Sequence, residues 1–169
     1  VLSQDVLSEL SSLLDDIGAD QSVRGLVINS GKKSGFIFGA DITEFDRIDS
    51  PEQGARLAAE GQAIIGRIAA LDIPSIAAID GFTLGGGLEL ALACDYRIAV
   101  RSWDRRIGLP EVQLGIQPGF GGVVRTVGLL GPVQALDLVL SGRQISAVEA
   151  EKIGLADRLV ETDALLSSA

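Results

Sequence analysis

Ile76-Ala77-Ala78-Ile79-Asp80-Gly81-Phe82-Thr83-Leu84-Gly85-Gly86-Gly87-Leu88-Glu89-Leu90-Ala91-Leu92-Ala93-Cys94 is the stretch on which the fold turns. Residues 76–79 have the length and apolar content of a buried strand, and the run continues in strand-like fashion to Leu84. Three glycines then turn it into an apolar helix over residues 88–94, and Tyr96-Arg97-Ile98-Ala99-Val100 reads as the next strand. Upstream, Leu26-Val27-Ile28, closed by Asn29-Ser30-Gly31, reads as another short buried strand. Between the two, Ser50-Pro51-Glu52 opens a helix with proline at its first position and Leu57, Ile64, Ile65 and Ile68 on one face. At the start of the chain, Ser3 caps a helix carrying Val6, Leu7, Leu10, Leu13, Leu14 and Ile17, with Gly18 as its stop. Downstream, residues 132–140 form an amphipathic helix, and Ser146 with Glu149 makes a capping box for another. Strand and helix alternate throughout, which predicts an α/β layered fold with residues 26–29, 76–80 and 98–100 in one sheet.

The chemistry open to this chain is bounded by its composition. Its 169 residues, 47% hydrophobic and 22% charged, suffice for one core, and no repeat or linker-like stretch divides them. It contains no histidine, so a Ser-His-Asp system, a His-ligated zinc and a histidine base are all excluded within it. The single Cys94 forms neither an internal disulfide nor a multi-cysteine metal site, which fits a reducing compartment. A net charge of -9 argues against nucleic acid or an anionic membrane as a general partner. Arg67, Asp72, Asp80 and Glu89 interrupt the most apolar region, so no membrane span is expected. The chain opens on Val1 without a leader pattern and reads as an excerpt of a longer polypeptide.

Glycine is concentrated where backbone must approach something closely: 11 of the 21 fall between Gly81 and Gly131. Neither cluster is a nucleotide cradle, since Leu90 and Val124 occupy the last positions of the G-x-G-x-x-G pattern. A strand turning through Gly85-Gly86-Gly87 into a helix presents unpaired N–H groups at the positive helix end. A second apolar run, Gly35-Phe36-Ile37-Phe38, breaks at Gly39-Ala40, and donors from the two breaks can form an oxyanion hole. The plainer reading of each is an ordinary strand-to-helix turn. Glu89 sits among Leu88, Leu90, Ala91 and Leu92, company in which a carboxylate is costly to bury. Glu111 follows the apolar Ile107-Gly108-Leu109-Pro110. Each is also readable as a first-turn carboxylate complementing a helix dipole.

These residues carry a resemblance. Phe38-Gly39-Ala40-Asp41-Ile42, then Ala77-Ala78-Ile79-Asp80-Gly81 leading into Leu84-Gly85-Gly86-Gly87-Leu88-Glu89, resemble the enoyl-CoA hydratase/isomerase (crotonase) superfamily. So do Gly108-Leu109-Pro110-Glu111, Leu114-Gly115 and Pro118-Gly119-Phe120-Gly121-Gly122, and the likeness runs over nearly the whole chain. The spacing of 22 residues from Glu89 to Glu111, with Arg101-Ser102-Trp103-Asp104-Arg105 between, is similar to the hydratase domain of the multifunctional fatty-acid oxidation α subunit. The resemblance implies a crotonase-like α/β fold of ββα repeats with surrounding helices. It further implies that residues 1–169 are one such domain, partial at both ends, without the family's first hairpin and C-terminal helices.

It also implies a site. Ala40 and Gly86 would hold the thioester carbonyl through their N–H groups, and Glu89 and Glu111 would be the catalytic carboxylates. Gly39, Asp41, Ile42, Gly85, Gly87, Pro110 and Gly119 would contact substrate. Many members carry a lysine near the coenzyme phosphates just after the first motif, where this chain has Thr43; Lys32 and Lys33 are the substitutes, or else two solvated loop lysines. The implied reaction is syn hydration of trans-2-enoyl-CoA to 3-hydroxyacyl-CoA in β-oxidation, without metal or cofactor beyond the coenzyme A thioester substrate. The alternatives are Δ3-Δ2 enoyl-CoA isomerisation and a non-catalytic acyl-CoA-binding or structural subunit. An RNA-binding relative is disfavoured by the acidic balance. The implied partners are acyl-CoA and either further copies of the chain or a thiolase subunit. The implied setting is a bacterial cytoplasm, with the mitochondrial matrix remaining open.

Overall fold

The computed structural model describes residues 1–104 and 106–169, with Phe45 and Arg47 described through their backbone alone; Arg105 of the turn noted above lies outside the described residues. The elements run α1 (Gln4–Ala19), β1 (Leu26–Ile28), β2 (Gly35–Ile37), α2 (Pro51–Ala69), β3 (Ser75–Ile79), β4 (Phe82–Leu84) and α3 (Gly86–Ala93). They continue as β5 (Tyr96–Val100), β6 (Ile107–Gly108), α4 (Gly122–Leu130), α5 (Pro132–Ser141), α6 (Ala147–Ile153), β7 (Arg158–Val160) and α7 (Leu165–Ser168). Short 3₁₀ turns at Ile42–Arg47 and Pro110–Leu114 follow β2 and β6.

The ββα repeat is visible in how the strands are dealt out. Odd-numbered strands form a parallel four-stranded sheet in the order β1-β3-β5-β7, and even-numbered strands form a parallel three-stranded sheet in the order β2-β4-β6. Each repeat thus places one strand in each sheet and then a helix: β1-β2-α2, β3-β4-α3, β5-β6-α4. The single strand expected from Ile76 to Leu84 is therefore two. The chain leaves the first sheet at Asp80, Gly81 takes φ 76, and β4 starts in the second sheet. A left-handed residue between two strands needs glycine, because a Cβ would meet its own backbone there.

Residues 26–28, 76–79 and 98–100 do share a sheet, with Leu26 opposite Ser75 and Ile76 opposite Tyr96. β1, expected to be buried, is the edge strand instead, and its Val27 is 44% exposed. On the inner face Ala77, Ile79, Ala99 and Leu159 join the main core with Leu14, Ile65, Ile68 and Leu88. The outer face is partly covered at Ala78, Ile98 and Val160 by Leu165 of α7.

Helix boundaries follow local chemistry. The hydroxyls of Ser3, Ser50 and Ser146 accept from the N–H groups of Val6, Gln53 and Glu149, capping α1, α2 and α6 as their sequences predict. Gly18 does not stop α1, which runs to Ala19. Helix α4 has no counterpart in the sequence reading. All eight residues of α3 are buried, which is what an all-round apolar helix requires. Burying Leu88, Leu90 and Leu92 stabilises the fold by roughly 1.5–3 kcal/mol each. Arg97, 4% exposed, ties off the end of α3: its Nη1 donates to the Cys94 carbonyl at 2.6 Å while its Nη2 pairs with Asp157 at 2.8 Å. Among the described residues no helix is long and apolar enough to cross a membrane.

Candidate active site

α3 is the buried pillar from which the site is built, and the turn that starts it faces the break after β2. There Leu2 bridges to the break: its N–H donates to the Gly39 carbonyl at 2.7 Å, and the Asp41 N–H donates to the Leu2 carbonyl at 3.2 Å. Since backbone groups of successive residues alternate in direction along an extended chain, the Ala40 N–H between them points away from Leu2. At the other turn, the Gly85 N–H donates to the Gly108 carbonyl at 3.0 Å. The Gly86 N–H that follows is one of those a helix start leaves without an intrahelical acceptor. The two breaks abut. A Cβ on Gly39 would lie 3.8 Å from the Gly86 nitrogen, and one on Gly85 would lie 3.8 Å from the Gly39 Cα.

Glu89 lies three residues after Gly86, hence on the same face of α3. Its Oε1 accepts from the N–H groups of Phe120 and Gly122, each at 2.7 Å. Gly122 is glycine for reasons of space, because a Cβ there would come within 2.7 Å of the Glu89 Cγ. Glu111 is set by Pro110 at the start of the 3₁₀ turn and reaches back to the glycine break: a Cβ on Gly85 would lie 2.9 Å from its Oε1. Glu111 Oε2 is buried and has no hydrogen-bond partner among the described residues.

Both carboxyls are pushed above the usual carboxylate range, chiefly by burial. At Glu89 the N–H donors of Gly122 and Phe120 and the charge of Arg125 oppose that rise. At Glu111 burial, opposed by its own N–H and reinforced by the charge of Glu89, pushes the value up to about 7.

These groups surround a cavity of about 930 Å³. Ala40, Gly86, Glu89 and Glu111 all line it, as do Gly39, Asp41, Ile42, Gly85, Pro110 and Gly119. Gly87 is outside that lining; a Cβ there would collide with the carbonyl oxygen of Ile37, so its place is the contact of α3 with β2. Lys32 and Lys33 are exposed and also outside the lining. Among the described residues no group of three or more His, Cys, Asp or Glu is placed to hold a metal ion.

The sequence reading missed several contributors. Leu2 not only bridges to the first break but also packs on the second, since a Cβ on Gly86 would lie 3.3 Å from its Cδ1. The Phe120 ring covers Gly86 from another side, 3.2 Å from such a Cβ. The Gly119-Phe120-Gly121-Gly122 cluster was visible as glycine-rich, but nothing local marks its N–H groups as the partners of Glu89.

A family model described as Enoyl-CoA hydratase/isomerase matches residues 1–169. The chain belongs to the enoyl-CoA hydratase/isomerase family. Among curated proteins it is 44% identical over 161 residues to a fatty acid oxidation complex subunit alpha of Shewanella amazonensis, covering 95% of this chain and 23% of that protein. A protein of the same description from Shewanella loihica is 45% identical over the same length. Among solved structures, an enoyl-CoA hydratase from Bacillus anthracis superposes with a TM-score of 0.91 at 36% identity, over 99% of this chain and 64% of that one. The chain thus spans about a quarter of the length of these curated relatives, and its crotonase-like fold is that of the solved hydratases.

Proposed function

We propose that this family member adds water, with syn geometry, across the double bond of a trans-2-enoyl thioester of coenzyme A. The observation that carries the reading is the pair Glu89 and Glu111, both buried, both on the wall of the cavity that the two glycine breaks share. As the oxygen of water bonds to C3, the π electrons shift toward the thioester oxygen. The N–H groups of Ala40 and Gly86 stabilise the resulting enolate more than the starting carbonyl, a contribution of roughly 3 kcal/mol per donor. Glu89, whose Oε1 accepts two N–H bonds, serves as the carboxylate that takes the proton from water. Glu111, raised to about 7 and therefore substantially protonated near neutral pH, delivers a proton to C2. Proton exchange between the carboxyls and solvent then resets the pair, and no metal or redox cofactor is required.

The setting proposed with this reaction is β-oxidation, supported by the relatives described as fatty acid oxidation complex subunits. The partners proposed are acyl-CoA and, in such a complex, a thiolase subunit; further copies of the chain are the other arrangement. The reading is tested by hydration kinetics. Glu89→Gln and Glu111→Gln are each expected to slow hydration of a 2-enoyl-CoA by ~10²-fold or more, and the double variant to lose far less than the product, because the two act as a unit. If Glu111→Gln abolishes conversion of 3-enoyl to 2-enoyl thioesters while Glu89→Gln leaves most of that conversion, the chain is an isomerase instead. If Glu89→Gln leaves hydration unchanged with binding intact, the two-carboxylate mechanism is wrong.

A further inference from the structure

Two N–H donors two residues apart converge on one oxygen of Glu89 only because the peptide between them is turned. Gly121 supplies that turn at φ 97. Glycine enters this region without penalty, yet it is also the residue with most freedom to leave it. The turn therefore needs an external hold. Arg125, one turn along α4, provides it: its Nη1 donates to the Phe120 carbonyl at 2.7 Å. The guanidinium lies so close over Gly121 that a Cβ at that residue would collide with Nη1. Among the described residues Arg125 takes part in no ion pair within 4.0 Å. Its positive charge is instead left to act on Glu89, where it favours the carboxylate.

We propose that Arg125 is the positioning residue of the Glu89 carboxylate: by fixing the Phe120 carbonyl across Gly121, it keeps both N–H donors on Oε1 and presents the carboxylate to the cavity. Arg125 touches no reacting atom and works through the turn. A planar, permanently charged guanidinium suits the task, since it fixes a carbonyl in direction as well as distance. The charge acting at Glu89 is that of Arg125 from α4, and Glu89 in turn acts on Glu111 across the cavity wall. Asp5, Asp41, Glu44 and Glu60 line the same cavity from α1, the segment after β2, and α2. These acids are unchanged when Arg125 alone is replaced, so a shift seen then belongs to Arg125.

The inference rests on the proposed function only in taking Glu89 as a reacting group, and its test has a readout independent of turnover. In the full-length protein labelled with carboxyl-¹³C glutamate, the Glu89 resonance is identified by its loss in Glu89→Gln and titrated by NMR. Arg125→Gln is expected to raise the Glu89 midpoint by on the order of half a unit or more, because a favourable charge is lost and the donors loosen. Arg125→Lys keeps the charge but not the planar fork, and is expected to raise the midpoint by less than Arg125→Gln does, through the loosened donors alone. In both variants the Phe120 and Gly122 amides exchange with solvent about 10-fold faster or more as the turn is released. With a 2-enoyl-CoA, kcat falls about 10-fold for Arg125→Gln while KM changes less than about two-fold, part of the 10² to 10⁴ that acid–base catalysis supplies. A folded Arg125→Gln protein whose Glu89 midpoint and amide exchange match wild type overturns the proposal. If Arg125→Gln does not fold, Arg125→Lys decides through the same amides, and unchanged exchange there is equally fatal. A wild type inert toward enoyl-CoA would refute the proposed function yet leave the titration to judge Arg125.

Discussion

Glu111 makes the protein less stable at the pH at which it would work. Its carboxyl, 8% exposed and with Oε2 unpartnered, is raised from 4.5 to about 7. Between those values the folded state binds more protons than the unfolded state, so stability falls as pH rises through the window and levels off above about pH 7. The span of 7 − 4.5 = 2.5 units, at 1.36 kcal/mol each, gives about 3 kcal/mol as an upper bound, since one side of the group faces an open cavity. Glu111→Gln removes that titration. The pH-dependent difference in unfolding free energy between wild type and variant should therefore swing by up to about 3 kcal/mol from pH 4 to pH 8, with the variant gaining at the alkaline end. Any offset from placing an amide where Oε2 has no partner is independent of pH and drops out of the swing. Urea denaturation at half-unit pH intervals measures it, with equal m values showing that the two unfolding reactions are comparable. A difference that stays constant within about 0.5 kcal/mol across the range would mean that Glu111 ionises as freely as a surface glutamate, and the acid role built on its burial would go with it.

Gly87→Ala is expected to lower stability by about 2 kcal/mol or more, read as a drop in Tm: the new Cβ would collide with the Ile37 carbonyl and lie 2.7 Å from the Ile37 Cβ, and neither atom can swing aside. A melt matching wild type would mean that α3 is not pressed against β2. The Cys94 thiol is buried and pushed up to about 12, so a disulfide reagent at pH 8 should leave native protein unlabelled and label it fully in denaturant. Rapid native labelling would show that the end of α3 opens.

What the sequence makes legible is what short-range chemistry decides. Ser3, Ser50 and Ser146 announce helix starts because a hydroxyl and an N–H three residues away are enough to form the cap. Tyr96–Val100 is bounded as expected because the apolar run is short and flanked by charge. The division of Ile76–Leu84 between two sheets is invisible in its hydropathy, since both halves are apolar; the mark is Gly81 and its φ. Helix α4 is poorly announced because Val123, Val124, Thr126 and Val127 are β-branched and Gly128 interrupts them, so that packing against α3 has to outweigh propensity. In the site, both glycine breaks and both glutamates stand out in the sequence. Leu2 and Arg125 do not, because Leu2 is defined by contact with residues 37 and 39 positions away and Arg125 by a turn whose purpose lies on another helix.

Every ladder in both sheets is parallel, and that has a consequence for how the protein reaches its working form. Parallel neighbours cannot be joined by a tight turn, so each pairing closes a long loop before any of its contacts reward the lost freedom. Leu2, Ala40, Gly86 and Glu111 come together across more than half the chain, and no contiguous fragment short of that span contains them all. Such topologies fold slowly, and here the constellation is complete only when the long-range pairings within residues 2–111 have closed. Recovery of activity after dilution from denaturant should consequently lag behind recovery of helical signal, which makes turnover a clock for the slowest folding step.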